Sequence, residues 1–455
     1  MIDPPSIPTA PGSRPLLGHG GALLRDPLRF LSSLPEIGDL VRVNVGPFEW
    51  IAVCDPDLML HVFRDDRTFD KGGLLFDRIK EVTGPRALAV MEHADHRTRR
   101  RIVQPAFHPS QFTAYSQVIT QQVSAVMDSW RDGQYLDLFS EMKLITARAG
   151  LLTMFSYMQP DLVLSQALDD TIVVMDSLFR RTVAPTLLNN MPLPANIRYN
   201  RANQRIRDLV DRIIHEYRSH GVNCGDLMSV LLNLGDADSS APGADEGISN
   251  ADIYDEVTVF FLAVMETTAA LLSWTLTEVA QRRHIHERLR QEVDDVLAGK
   301  PPELKDLPDL KFTVQTLQES LRLHPPVWML TRNVTADTEL LGRKIAAGST
   351  IMLSPYILHQ RADIFPDPGR FNPDRWLKES VTKRPRNALL PFGHGARKCI
   401  GDVFGMTEAA LVLASIISGW DLVPHPTHRG RASISFVLSP RRSLVRITAR
   451  RTHGR

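Results

Sequence analysis

The apolar positions of this chain change period twice along its length. From Asp39 to Cys54 they alternate, as Val-Arg-Val-Asn-Val and Trp50-Ile-Ala-Val with Gly46-Pro47 between them, which predicts two strands joined by a turn. From about Asp95 to Arg322 the period lengthens to that of a helix. Gln117 to Trp130, Arg201 to Tyr217 and Asp252 to Arg282 are predicted helices, and in the second Ile206, Leu209, Val210, Ile213 and Ile214 share one face. Beyond Thr335 short strand patterns return at Thr350–Ser354, Ser433–Leu438 and Leu444–Ile447. Residues 1–20 are proline-rich and are expected to run extended over the surface. Ser239–Gly247 is polar and reads as a flexible connector. No repeat and no linker divides the chain, so the pattern predicts one domain over residues 1–455, mainly α with a small β-rich lobe.

Composition narrows the class without naming a chemistry. A hydrophobic share of 43% and a charged share of 23% are ordinary for a globular protein. A formal charge of +1 supplies no global field for nucleic acid or an anionic membrane. Cys54, Cys224 and Cys399 lie too far apart for a metal-ligand spacing or a disulfide framework, which suits a reducing cytoplasm. The apolar runs Val257–Met265 and Ala410–Ile417 are roughly half of what a bilayer needs. The first residues lack both a basic and an apolar leader region. A cytoplasmic protein with no membrane anchor is therefore expected.

The chemistry concentrates around Cys399. In Phe392-Gly393-His-Gly395-Ala-Arg397-Lys-Cys399-Ile-Gly401 the glycines permit tight turning and let a flat ligand approach the main chain. Arg397 can favour a thiolate locally or pair with an anionic ligand edge. The segment from Val403 reads as a helix starting almost at the cysteine, and a helix N-terminus stabilises a nearby anion. A lone buried cysteine is ordinarily inert, but this one comes with a spacing of fixed neighbours.

That spacing, Phe-x-x-Gly-x-Arg-x-Cys-x-Gly, resembles the haem-binding signature of the cytochrome P-450 monooxygenases, and the resemblance runs from about residue 10 to 448. It implies the mostly helical fold of that family and a haem b with Cys399 as thiolate ligand, the axial sulfur that promotes oxygen–oxygen cleavage. His96 and Arg100, one helical turn apart, resemble a pair that reaches the haem propionates, as do Arg332 and Arg397. The other cations, Arg97, Arg101 and Lys398, are expected on a docking face for an acidic electron donor. Glu319 and Arg322, three apart on a helix, match with Arg375 a buried charge network that supports the haem loop; Glu287 and Arg290 share the spacing and read as a solvated pair.

The oxygen-handling segment departs from the family pattern. Ala263-Val264-Met265-Glu266-Thr267-Thr268 keeps the acid–alcohol pair, in which a hydroxyl holds oxygen and waters while a carboxylate relays protons. Valine stands at position 264, where the pattern has glycine. Its stiff, branched side chain is expected to narrow the space above the haem. The alternative for Thr267 is a hydroxyl bonded back to the preceding turn.

Phe260, Val264, Thr267, Thr268 and Leu271 fall on one stripe, which is as compatible with plain core as with a pocket wall. By resemblance Phe76 in a loop Leu74–Leu88, Phe179, Trp328 and Phe436 complete the substrate pocket. The resemblance implies insertion of one oxygen atom from O2 into a hydrophobic small molecule. Electrons would come from NAD(P)H through a separate ferredoxin and ferredoxin reductase, with no fused reductase domain and a monomeric chain. A terpene fits the apolar lining; a fatty acid or polyketide also would. An electron-independent haem-thiolate isomerase or peroxygenase, and a non-catalytic haem protein, are the competing classes.

Overall fold

The long helix Asn250–Ala280 is the axis of the molecule. It starts at a capping box: the Asp252 amide donates to Ser249 Oγ at 3.2 Å, and the Ser249 amide to Asp252 Oδ2 at 2.9 Å. Beyond its first turns it is apolar nearly all round, the composition of a helix with no solvent face. The helices Leu138–Phe155, Pro194–His220, Lys311–Leu323 and Asp402–Gly419 pack around it. The computed structural model describes residues 6–156, 161–184, 186–220, 226–235, 248–381, 385 and 388–450; the Ser239–Gly247 segment and Cys224 lie outside them.

Among the described residues two helices, Asn250–Ala280 and Asp402–Gly419, are long and apolar enough to cross a membrane, more than their interrupted apolar runs suggest. In the fold 83% and 67% of their apolar windows are buried against other parts of the protein, so they are core helices.

Among the described residues the strands are, in chain order, β1 (Leu40–Val45), β2 (Phe48–Val53), β3 (Phe69–Asp70), β4 (Tyr135–Asp137), β5 (Leu330–Val334), β6 (Thr338–Leu340), β7 (Arg343–Ile345), β8 (Thr350–Leu353), β9 (Trp420–Ile434) and β10 (Leu438–Ala449). One sheet runs β1-β2-β8-β5-β3, a second β4-β10-β9, and β6 pairs with β7. The predicted hairpin forms with Leu40 opposite Val53 and Val45 opposite Phe48.

Four expectations change. The N-terminal arm does not simply lie on the surface: the Ala10 amide donates to the Arg42 carbonyl and the Arg42 amide to that of Pro8, so the arm is annealed to β1, with Ile7 and Ala10 buried. Leu74–Thr83 is a helix rather than a loop. At the C-terminal end the short strand patterns belong to one long hairpin, β9 against β10, whose polar and proline-bearing stretches hide it from a period-two reading. The predicted helices form, at Phe112–Met127, Pro194–His220 and Asn250–Ala280. Glu287 pairs with Arg283 at 2.7 Å, and Arg290 lies 3.4 Å from Asp421, so these two do not form the pair their spacing suggested.

Candidate active site

Backbone bonds close the cysteine loop into a rigid turn. The Cys399 amide donates to the Phe392 carbonyl at 2.9 Å, and the Gly393 amide to that of Leu390 at 3.1 Å. Gly395 has φ +71° and passes so close to Phe63 that a Cβ there would fall 2.5 Å from its carbonyl oxygen, which no other residue tolerates. Gly401 then caps the helix Asp402–Gly419. Cys399 sits deep in the protein with its surface open to a cavity of about 340 Å³. Burial pushes its thiol up, and the Gly401 amide, Arg100 and Lys71 pull it toward the thiolate. Arg397 is hydrogen-bonded elsewhere. Its guanidinium turns away to the Met91 carbonyl at 2.7 Å and to the Asp70 carboxylate.

The long helix forms the opposite wall with Phe260, Ala263, Val264, Thr267, Thr268 and Leu271, so the whole stripe faces the cavity. The Phe260 ring is also held 5.5 Å from that of Phe107. Phe392, Gly393 and Gly401 join Cys399 on the other side.

One end of the cavity is cationic. Lys71, His96, Arg100, Arg332 and Arg397 all line it. Nearby, Asp66 and Asp70 are already engaged by His93, Arg97 and Arg397. The other cations hydrogen-bond carbonyls, Lys71 that of Ala89 at 2.6 Å, Arg100 that of Lys398 at 2.6 Å and Arg332 that of Thr331 at 3.0 Å, while Lys71 and Arg332 also lie over the rings of Phe76 and Phe63. Burial, then Arg332 and Arg397, hold Lys71 well below the lysine range. Burial, then Arg397, press Arg332 to about 10. Burial, Arg397, Lys71 and Arg100 drive His96 to about 3, and its Nδ1 is buried with no partner. Such a cluster lacks anions, and a flat macrocycle carrying two carboxylates at one edge fits the deficit.

The acid–alcohol pair splits across the long helix. Thr267 lines the cavity, and its hydroxyl donates back to the Ala263 carbonyl at 3.0 Å. Glu266 lies behind it, buried, with Oε1 unpartnered. Burial and Asp176 raise its carboxyl to about 7 against the pull of buried Lys143. A second buried acid, Glu408, does line the cavity. Neither of its oxygens has a hydrogen-bond partner, and burial lifts it to about 8; the Thr268 hydroxyl is near enough to moderate that rise without meeting bonding geometry.

The Glu319 network is complete and fully buried at its centre. Glu319 accepts from Arg322 Nε and Nη2, both at 2.9 Å, from Arg375 Nε at 3.2 Å, from the Asn372 amide at 2.9 Å and from Trp376 Nε1 at 3.1 Å. Arg322 Nη1 donates to the His359 carbonyl at 2.9 Å, and His359 Nε2 accepts from the Leu390 amide at 3.2 Å. That last bond connects the network to the start of the cysteine loop.

The remaining expected pocket residues do not line the cavity. Phe76, Phe179 and Trp328 belong to a separate buried cluster, with Phe179 and Trp328 edge-on at 5.1 Å. Trp328 is tied to the Ser435 carbonyl, and Phe436 packs partly buried against the same cluster. Arg97, Arg100 and Arg101 border a shallow outer depression with Gln104 and His108; Arg97 pairs with Asp66, and Lys398 with Asp402. Sequence reasoning missed Lys71, Met154 and Glu408. Only Glu408 carried a signal: Gly401, Phe404, Gly405 and Glu408 are spaced to face one side of the cysteine helix, and all four line the cavity.

A helical fold around a glycine-bound cysteine loop, an apolar cavity and a cationic edge fits a haem-thiolate protein. The Cytochrome P450 family profile matches residues 8–445, and the chain belongs to that family. Among its relatives, cyclooctat-9-en-7-ol 5-monooxygenase of Streptomyces melanosporofaciens is 41% identical over 428 residues, 93% of this chain and 92% of that protein. Pentalenene oxygenase of Streptomyces avermitilis is 37% identical over 443 residues, 97% of each chain. Cyclooctatin synthase of S. melanosporofaciens is 38% identical over 439 residues, 96% of this chain and 94% of that one.

Proposed function

We propose that this protein is a monooxygenase of a terpene or terpenoid, working as a single domain with electrons from a separate ferredoxin and its NAD(P)H-dependent reductase. The observation that carries the reading is the cavity itself, with Cys399 on one side, Thr267 and Ala263 facing it, and an edge of cations short of anions. Two relatives bear pentalenene and cyclooctat-9-en-7-ol in their names, and a compact substrate of that kind suits walls made of Phe107, Met154, Phe260, Val264 and Leu271.

In this reading Cys399 is the sulfur ligand of haem, and Lys71, His96, Arg100 and Arg332 hold its carboxylates, with Arg397 braced on Asp70 behind them. Bound haem supplies reductive activation of O2 and transfer of one oxygen atom to a C–H bond. The chain's own residues exclude water, orient the substrate and manage protons. The Thr267 hydroxyl can leave the Ala263 carbonyl and turn into the cavity, where its proton is available to a bound water. Glu266, raised to about 7, is poised to supply that proton from the far side of the helix. The exposed cations Arg101 and Lys398 offer an acidic electron donor a docking point beside the Cys399 loop.

The test combines two measurements. The dithionite-reduced holoprotein under carbon monoxide is expected to give a strongly red-shifted Soret band. Ferredoxin, its reductase and NADPH are expected to convert pentalenene or a related terpene to an oxygenated product only in the presence of O2. Turnover without electrons or O2 would overturn the monooxygenase reading in favour of a rearrangement.

A further inference from the structure

Gly150 lies in the helix Leu138–Phe155, which packs along the long helix opposite Val264. A Cβ placed on Gly150 would fall 1.8 Å from Val264 Cγ1, 3.1 Å from its Cβ and 3.5 Å from its Cγ2. These are its three nearest atoms, so the notch at Gly150 is filled by this one side chain. Val264 also lines the cavity that holds Cys399, as does Met154, one turn beyond Gly150 on the same face of its helix. The contact is therefore part of the cavity wall.

We propose that Gly150 is the positioning residue for substrate selectivity, holding Val264 back in its notch and so setting the free space over Cys399. The chain carries valine where the family pattern has glycine, and a glycine on the facing helix accommodates the added volume. Cores accept such large–small exchanges when total volume is kept. A methyl at position 150 removes the notch. The stiff valine then has one open direction, into the cavity, because helical backbone and buried side chains close the others. Selectivity for bulky over slender ligands thus depends on a residue that need not touch the ligand.

The inference rests on the haem-thiolate reading, and the test separates the two. Haem-loaded wild type, Gly150→Ala, Val264→Ala and the double variant are titrated spectroscopically with imidazole and with 4-phenylimidazole, and their melting temperatures are measured. Gly150→Ala is expected to weaken 4-phenylimidazole about tenfold relative to imidazole, equivalent to about 1.4 kcal/mol. It should also lower the melting temperature. Val264→Ala in the same chain should restore both quantities, since it removes the atoms that the new methyl meets. Equal loss for both azoles, or no rescue in the double variant, overturns the proposal. The melting cycle reports the contact whatever ligates the iron, whereas a wild type lacking the red-shifted carbon monoxide band would instead overturn the haem-thiolate reading.

Discussion

Glu319 and Arg322 form a two-pronged ion pair with both bonds at 2.9 Å and both side chains wholly shielded from solvent. Three further donors converge on the same carboxylate, so its charge is distributed rather than merely neutralised. Through the carbonyl and ring of His359 the pair reaches Leu390, just ahead of the cysteine loop.

Removing the carboxylate should therefore do more than loosen one helix. Glu319→Ala strands Arg322 in the core at a cost of about 3–5 kcal/mol. Chemical denaturation should record that loss, and the purified variant should carry less haem than wild type. Retention of full stability would show that water, or carbonyls such as those of Pro368 and Arg370 that Arg322 already reaches, accept in place of the lost carboxylate.

Lys71 contributes to a different kind of grip. Its ammonium lines the cationic edge, hydrogen-bonded to the Ala89 carbonyl and 5.5 Å from the centre of the Phe76 ring. Lys71→Met keeps the bulk and deletes the charge. With about 1.5–3 kcal/mol for a charge-assisted bond, haem loss should quicken roughly 10- to 100-fold. Transfer of haem to an excess of apomyoglobin measures the rate directly.

Glu266 predicts a pH dependence with a definite sign. Its carboxyl is raised from an ordinary 4.5 to about 7, first by burial. Between those values the folded protein holds this proton while the unfolded chain has released it, so stability falls as pH rises from about 4.5 to 7 and is level above that. Glu266→Gln should flatten this stretch of the melting-temperature profile. If the protonated acid feeds Thr267, turnover in the parent should decline above about pH 7, and the glutamine variant should be about 100-fold slower and lose that inflection. An unchanged inflection would transfer the role to Glu408.

Val264→Gly removes the side chain that fills the Gly150 notch and lines the cavity. A broader set of oxidation products is expected, together with a helix-propensity loss of about 0.4 kcal/mol. Gas chromatography of the products from one terpene tests the first expectation, and denaturation tests the second.

Much of this was legible in the sequence because it is local. The cysteine loop, the capped long helix and the His96–Arg100 turn are each fixed by residues within a few positions of one another. What escaped depends on partners far along the chain. Lys71 follows the two-residue strand β3, whose place is set by β5 some 260 residues later, and no period marks it. Trp328 and Phe179 look like pocket aromatics by position, yet each satisfies the other in a neighbouring core. Arg397 stands two residues from Cys399 but pairs with Asp70, more than 300 residues earlier in the chain. The fate of Val264 was hidden for the same reason: its partner Gly150 is a small residue in another helix, and a glycine within a helix advertises nothing.

The apolar girth of the Asn250–Ala280 helix sets a hazard during synthesis. A ribosome releases this segment before the cysteine helix and the β9–β10 hairpin exist to cover it. At 31 residues, with 83% of its most apolar window destined for the interior, the nascent segment is indistinguishable by length and hydropathy from a span meant for lipid. Its entry turn carries Asp252, Asp255 and Glu256. Those acids close onto the Arg86 amide, the Arg99 guanidinium and the Leu88 amide, so the apolar helix is fastened into the finished protein at its first turns.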